Sequence, residues 1–238
     1  MKSIDKTQYE NEGYTLVERV FDATECEQLV RHMMDLHGGG KQLDGFAPRQ
    51  PDEWNRTHNQ HWYDEVAEAW LLHPKLRQPL RQCLDDEAEG IQTMYFWKGS
   101  EQRRHQDQFY LPGCMSAWIA LQDVDEDNGT IYVQPGSHHK RLLTRTDMEA
   151  GGEFEGWDYN DAVDLIFERN ELPEIALEAG RGDVVFFHGV LVHRGGPIRA
   201  ADSFRHVLAN HYIPYRFAAW PHLSWPRLSF DGSRRLSA

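Results

Sequence analysis

Cysteine is scarce in this chain: Cys26, Cys83 and Cys114 are the only ones among 238 residues. They are scattered and odd in number, which excludes a disulfide framework, and no Cys-x-x-Cys metal knuckle is formed. Such thiols fit a reduced, cytoplasmic setting. Long apolar runs are missing too. No stretch approaches the roughly 18 apolar residues of a transmembrane helix, so no membrane partner is expected. The opening Met1-Lys2-Ser3-Ile4-Asp5 lacks the apolar segment of a secretory leader. Basic charge is in deficit, with 25 Lys and Arg against 38 Asp and Glu, a formal net charge of −13. A nucleic-acid binder shows a basic face, so no such partner is expected. There is no internal repeat and no low-complexity tract. Aromatic residues, by contrast, are plentiful, with 8 Trp, 9 Tyr and 11 Phe. In so polar a chain much of the buried surface is aromatic, and some rings are available to line a pocket.

Along the chain, helical texture comes first and short strands after. Residues 14–20 alternate loosely as a short strand. Asp22, with Glu25 three positions on, forms a capping box, and Cys26, Leu29, Val30, Met33 and Met34 follow at helical spacing. Gly38-Gly39-Gly40 ends that helix. Residues 41–61 are polar and rich in Pro, Asn and Arg, a long loop of the kind that carries function. A second helix is expected over 64–72, and Pro74 opens a third that runs to about 84. From Gly90 onward the pattern turns to strands over 91–97, 116–124, 130–133, 174–177, 184–187 and 204–213. Asp127-Asn128-Gly129 and Gln134-Pro135-Gly136-Ser137 punctuate turns between them. Residues 144–172 form a polar insertion containing Gly151-Gly152. The composition predicts a mainly β protein with a helical N-terminal layer, a two-sheet jelly roll in one domain over 1–238. Its parts are helices at about 22–84, a strand core at about 91–213, and a tail over 214–238 that the pattern leaves unplaced.

Two stretches carry chemistry. The first is His105-Gln106-Asp107. Side chains alternate along extended chain, so His105 and Asp107 share a face and Gln106 points away. The second runs from Gly182-Asp183 to His193 and leads on to Arg205. Two His and one carboxylate, with coordination positions left open, are the ligand set of non-haem Fe(II) oxygenases. A bidentate 2-oxo acid and O2 could fill the open positions, and an arginine fork could hold the acid's far carboxylate. Arg205, early in the last expected strand, is the natural candidate. Two histidines compete as third ligand. His188 lies within an apolar run, where a buried neutral imidazole is the commoner fate. His193 stands at a loop mouth before Arg194-Gly195-Gly196-Pro197, where sites form. His138 and His139 follow a turn and read as solvated or structural. His58 and His61 lie in the long loop, where a surface role is the default and contact with substrate the alternative.

The ordered set resembles a known family. It comprises His105-x-Asp107, Asn128-Gly129 through Pro135-Gly136-Ser137-His138, Gly182-Asp183 through Phe187-His188 to His193, and then Arg205. This order is similar to that of the phytanoyl-CoA dioxygenase-like Fe(II)/2-oxoglutarate oxygenases. Ser116-Ala117-Trp118-Ile119-Ala120-Leu121 also resembles that family's strand after His-x-Asp. The likeness runs from Tyr14 to Tyr212. It implies a cupin-like double-stranded β-helix, with His105, Asp107 and His193 as catalytic ligands of Fe(II). It further implies Arg205 on the distal carboxylate of 2-oxoglutarate, with Trp118 and Tyr95 beside that co-substrate. In the family the arginine usually stands eleven positions after the distal histidine, a place held here by Phe204. A one-residue insertion near Gly195-Gly196-Pro197 accounts for the offset, and Arg199 is the rival anchor. Gly195 stands where the family has a small polar residue. The implied reaction oxidises a substrate C–H bond with O2 while 2-oxoglutarate is cleaved to succinate and CO2. Asp107 favours hydroxylation over halogenation, and desaturation, epimerisation and ring closure use the same triad.

The expected substrate is a small metabolite or natural-product intermediate, since no extended apolar or basic groove is evident. Residues 41–61 and 144–172 are the expected lids, the insertion mobile until ligands bind. Asn55, Arg56, Arg103 and Arg104 are candidates to receive an anionic group, against a reading as solvated surface. Phe109 and Tyr110 are candidates for pocket walls, against plain packing. Two rival functions use the same ligands without 2-oxoglutarate. One is a cupin-type hydrolase or isomerase, and the other a jelly-roll binding protein with a structural metal. Neither has a use for Arg205 and Trp118 as a dicarboxylate anchor.

Overall fold

The computed structural model describes residues 2–46, 56–200 and 204–236. Its strands are β1 (Tyr14–Val17), β2 (Ala88–Phe96), β3 (Met115–Ala120), β4 (Ile131–Val133) and β5 (Ile175–Leu177). They continue with β6 (Val184–His188), β7 (His193–Gly195), β8 (Val207–Pro214), β9 (Arg227–Ser229) and β10 (Arg234–Arg235). One antiparallel sheet has the order β1-β6-β3-β8-β2-β9-β10, and a second the order β5-β4-β7. This is the two-sheet jelly roll that the strand pattern predicts. The central strands of the large sheet are buried on both faces, and their alternation separates two cores. Ala117 and Ile119 of β3, with Leu208 and Tyr212 of β8, face the helices. Trp118 and Ala120, with Val207 and Ala209, face the small sheet.

The helical layer consists of α1 (Lys6–Glu12), α2 (Ala23–His37), α3 (Glu65–Leu71) and α4 (Pro74–Leu84). The capping box on α2 forms in both directions: Glu25 donates its N–H to the Asp22 carboxylate at 2.9 Å, and Asp22 donates to Glu25 at 2.7 Å. Cys26, Leu29, Met33 and Leu36 are its buried stripe. Helix α1 escapes sequence reading because Tyr9 is its one buried residue, too little to set a period. No helix among the described residues is long and apolar enough to cross a membrane.

The insertion carries structure that its polar sequence does not announce. Residues 144–172 hold α5 (Arg145–Met148) and α6 (Tyr159–Asn170), folded around Leu143, Phe154, Ala162, Val163, Ile166 and Val192. Arg103 bridges Asp158, Asp161 and Asp164, and Arg104 bridges Asp164 and Glu174, so α6 is tied to the chain just before His105. The insertion is folded and tied down here, because few apolar residues at helical spacing suffice once a docking surface exists.

The tail also finds a place. Strands β9 and β10 extend the large sheet beyond β2. The carboxylate of Glu89, fully buried on β2, accepts from Arg227 at 2.5 Å and from Arg235 at 2.7 Å. Arg227 also donates to the carbonyls of Pro214, Tyr215 and Phe217 at 3.1, 3.1 and 2.6 Å.

Two sequence signatures turn out to fix the strand ends around His193. Gly182 has φ +89°, and a Cβ there would lie 2.0 Å from the Phe21 carbonyl oxygen, so only glycine fits. Its neighbour Asp183 accepts the backbone N–H groups of Arg19 and Gly180 at 2.7 and 2.8 Å. Ser137, in the Pro-Gly-Ser turn, accepts from the N–H of Val192 at 2.9 Å, one residue before His193.

Candidate active site

His105 and His193 face each other across an isolated antiparallel bridge, with N···O distances of 2.9 and 3.1 Å. Their ring centroids are 4.1 Å apart. The His-x-Asp stretch is not a regular strand. A single extended residue, Gln106 at φ −125° and ψ 121°, brings Asp107 back to the face of His105 before a 3-10 turn over Asp107–Phe109. Gln106 itself points away, as expected. It is buried, donates to the carbonyls of Arg141 and Val190 at 3.0 and 2.8 Å, and accepts from the N–H of Leu143 at 2.9 Å.

Asp107 Oδ1 lies 3.6 Å from Nε2 of both histidines. Each histidine donates through Nδ1 to a backbone carbonyl, His105 to Arg103 at 2.9 Å and His193 to Leu191 at 3.0 Å. A carbonyl can only accept, so the tautomer is set and Nε2 keeps its lone pair. Asp107 Oδ2 accepts from the Ser116 hydroxyl at 2.8 Å and lies 3.4 Å from His211 Nε2. Three electron-pair donors therefore converge in a buried space with no hydrogen among them. That arrangement is repulsive unless a cation sits between, and Nδ1 anchored to a carbonyl is the usual outer bracing of a metal-bound imidazole. Among the described residues this is the only such group of three or more His, Cys, Asp or Glu. Burial, and then the proximity of His193, pulls His105 down to about 3, so the imidazole is neutral as a ligand must be. Burial pushes the Asp107 carboxyl up, but His193 and the His211 contact outweigh it and hold it well below the usual carboxylate range.

His188 stays outside this group. It ends β6 with its Nδ1 accepting from Val190 N at 3.1 Å and its ring 5.6 Å from that of His138. The preceding Phe187 is the residue that reaches the site, 4.8 Å from the His193 ring.

Arg205 is 1% exposed. Its guanidinium carbon lies 5.2 Å from the Phe96 ring centre and 5.9 Å from that of Trp118. Nη1 donates to the carbonyl of Gly129 at 2.5 Å, and Nε has no partner. Burial pulls this guanidinium down to about 10, which leaves it charged at neutral pH. A buried cation with unused donors is unfavourable until an anion meets it. Arg205, Trp118 and the three metal-ligand candidates share a narrow inner chamber of about 40 Å³. Arg199 is elsewhere, exposed on a loop and paired with Glu126 at 3.0 Å. Gly195 lines the chamber, and Ser100 puts a hydroxyl 3.1 Å from where a Gly195 Cβ would stand.

Tyr95 is a correction. Alternation on β2 sends Met94 and Phe96 to the chamber, and Tyr95 to the helix-side core, where its hydroxyl meets His206 Nδ1 at 2.7 Å.

The chamber opens into an outer cleft of about 450 Å³, with Met94, Gln102, His105, Asp107 and His211 on the shared boundary. That volume suits a small molecule. Arg56 lines this cleft, and Asn55 lies outside the described residues. Arg103 does not line it, being committed to three aspartates beside α6. Arg104 stacks 3.9 Å over the Phe167 ring. Phe109 is a further correction: the 3-10 turn rotates it toward the insertion, 4.1 Å from the Tyr159 ring, and Tyr110 takes the cleft wall instead. Sequence reasoning missed Gln102, Arg145, His211, His222 and Trp225 on that wall. For His211 a signal existed, since it lies six residues after Arg205 and an even offset along a strand means the same face. The tail residues gave none. His222 is held by the carbonyl of Tyr110 at 2.8 Å, and Trp225 packs 5.6 Å from Trp62.

Known proteins share this arrangement of chain. The phytanoyl-CoA dioxygenase family profile matches residues 9–207. Phytanoyl-CoA dioxygenase 1 of Oryza sativa subsp. japonica is 32% identical over 148 residues, covering 57% of this chain and 48% of that protein, about half its length. Phytanoyl-CoA dioxygenase domain-containing protein 1 of Danio rerio is 26% identical over 278 aligned positions, covering 93% of each. Among solved structures, EctD from S. alaskensis with 2-oxoglutarate and 5-hydroxyectoine superposes with a TM-score of 0.69 at 19% identity, over 88% of this chain and 74% of that one. The non-haem α-ketoglutarate-dependent epimerase SnoN from nogalamycin biosynthesis gives 0.66 at 18%, over 88% and 79%. At these identities the likeness of structures speaks for the fold. The match to the family profile covers most of the chain, and the chain belongs to the phytanoyl-CoA dioxygenase family.

Proposed function

We propose that this chain is an Fe(II)- and 2-oxoglutarate-dependent dioxygenase that oxidises a C–H bond of a small metabolite, most simply by hydroxylation, with release of succinate and CO2. One observation carries the reading. Two lone-pair nitrogens and a carboxylate oxygen converge without a hydrogen beside a buried arginine that lacks an anion. His105, Asp107 and His193 would hold the metal. Ser116 and His211 occupy Asp107 Oδ2 and so present Oδ1. Arg205 would take the distal carboxylate of 2-oxoglutarate, with Trp118 and Phe96 keeping water from that pair. Bound iron supplies the one-electron chemistry with O2, which no protein side chain here provides. A hydrolase or isomerase has no use for the unpaired Arg205, which favours the oxygenase.

The whole chain from residue 1 to 238 is taken as one oxygenase domain, with the helices, strand core and tail as its parts. The setting is taken as cytoplasmic, on the three free thiols, which burial pushes upward, Cys26 to about 11. The net charge of −13 supports the absence of a nucleic-acid partner. Anaerobic titration of the Fe(II) protein with 2-oxoglutarate tests the reading. A weak visible charge-transfer band of the chelate is expected, and saturating 2-oxoglutarate without a band would sink it.

A further inference from the structure

Most arginines in this structure have a carboxylate in salt-bridge reach. Among the described residues the exceptions are Arg31, Arg56, Arg145 and Arg205. Arg31 is an exposed residue of α2. The other three surround the metal-ligand candidates, Arg205 in the inner chamber and Arg56 and Arg145 on the outer cleft. Acidic residues outnumber basic ones by 38 to 25, so chance pairing favours a partner for every arginine. A larger surface groove of about 880 Å³ shows the contrast. Its cations Lys6, Arg77, Arg81 and Arg216 are each paired, with Asp85, Glu87 or Asp86.

Arg56 is partly buried and held in place. Its Nε donates to His58 Nε2 at 3.0 Å and its Nη1 to Gln102 Oε1 at 2.5 Å. Those neutral partners fix the fork and leave Nη2 without one among the described residues. Arg145 opens α5, and its guanidinium lies 5.3 Å over the Phe109 ring with no hydrogen bond among the described residues. The Tyr110 phenol, on the same wall, is within electrostatic reach of both cations. The only carboxylate described on this wall is Asp107, already committed to the metal-ligand group.

We infer that the outer cleft binds an anionic substrate, a small carboxylate or phosphate ester, with its charged group between Arg56 and Arg145 and its remainder toward the metal ligands. The fork of Arg56 suits either anion, since both present two oxygens to parallel N–H donors. What happens to the anion once bound rests on the oxygenase reading above, whereas its capture does not.

Ligand-detected NMR titrations of the metal-free protein test this with inorganic phosphate, phenylacetate and the neutral phenylacetamide. At least one anion should bind the wild type saturably, and the tighter of the two names the charged group. The double variant Arg56→Gln/Arg145→Gln should weaken that anion about tenfold or more. Arg56→Lys/Arg145→Lys should keep most of the affinity, and phenylacetamide should not distinguish the variants. Anion binding that survives the glutamine pair but vanishes in Arg205→Gln overturns the proposal. So does the lack of saturable binding of either anion to the wild type, or an equal loss of acid and amide in both double variants. The Fe(II) chelate band, scored on the same proteins, keeps the two readings apart. A band together with anion binding indifferent to the arginine pair sinks only the anionic substrate. Pair-dependent anion binding without a band sinks only the oxygenase.

Discussion

Replacing Arg205 by methionine should make the ligand-free protein more stable and weaken its hold on 2-oxoglutarate. The guanidinium is 1% exposed, and burial pulls it well below its ordinary value, to about 10. At about 1.4 kcal/mol for each tenfold change in protonation, keeping that charge in the fold costs on the order of 3 kcal/mol. The charged form is the penalised one. The cost is therefore in full force at any pH below the folded value of about 10 and fades only as pH climbs from there toward the unfolded value. Methionine removes the cost but forfeits the hydrogen bond to the Gly129 carbonyl, about 1 kcal/mol, and part of the ring contacts, up to about 1 kcal/mol. The balance is a gain of about 1–2 kcal/mol, a rise in Tm of about 2–8 °C for a chain of this length. Binding of 2-oxoglutarate should fall by about 2–5 kcal/mol, since its distal carboxylate would be buried without a partner. That is roughly thirty- to several-thousand-fold in Kd. Thermal unfolding of the metal-free protein at neutral pH and anaerobic titration of the Fe(II) form supply the two readings. Arg199→Ala is the control, because its pair with Glu126 is exposed and screened by solvent. A less stable Arg205→Met protein, or one that binds 2-oxoglutarate like the wild type, refutes the reasoning. A large loss of binding in Arg199→Ala would move the anchor there.

His105→Ala, Asp107→Ala and His193→Ala should each lose stoichiometric Fe(II) while His188→Ala retains it; iron content after anaerobic loading decides, and the reverse pattern for the last two would exchange their roles. Gln106→Ala strands the N–H of Leu143 and the carbonyls of Val190 and Arg141. It should cost about 2–4 kcal/mol of stability and about 10–100-fold in iron affinity, and a chelator competition with neither change would speak against the bracing role. His61 is 2% exposed, and burial followed by Arg234 pulls it from 6.5 to about 3. The folded state refuses a proton that the unfolded chain accepts, so stability should fall as pH drops through that window, by about 2 kcal/mol at pH of about 5 from this residue. Urea unfolding across that range should show a shallower fall in His61→Gln, and an unchanged slope would count against it.

Legibility followed the reach of each signal. His105 and Asp107 could be paired because a single extended residue, Gln106, sets their relation. Helices α2 and α4 could be placed from a capping box and a first-turn proline. Tyr95 was misassigned because β2 is buried on both faces, so alternation reveals two faces but not which one meets the site. Phe109 was misassigned because the chain leaves extended geometry at Asp107, and the two-residue period stops there. Arg56 and Arg103 look alike in sequence. Only the position of α6, with its three aspartates, decides that Arg103 is consumed and Arg56 is not. His222 and Trp225 reach the cleft from a tail without periodicity, placed by contacts over a hundred residues away in the chain.

The tail gives the protein a latch at a distance from its chemistry. Glu89 lines neither the chamber nor the cleft, yet its carboxylate holds Arg227 and Arg235 across 138 and 146 positions of sequence. Arg227 in turn braces the turn at Pro214, Tyr215 and Phe217, and the same tail carries His222 and Trp225 to the cleft wall. Uncharging that one carboxylate, as in Glu89→Gln, should loosen that wall and leave the pairing of the strands and bridge that carry His105 and His193 in place, which amide exchange in the tail against that in β3 and β6 would check. The two parts of the site thus rest on different parts of the chain. The sheets and the His105–His193 bridge carry the metal-ligand candidates, and a tail pinned by a buried carboxylate near the start of β2 carries two residues of the cleft wall.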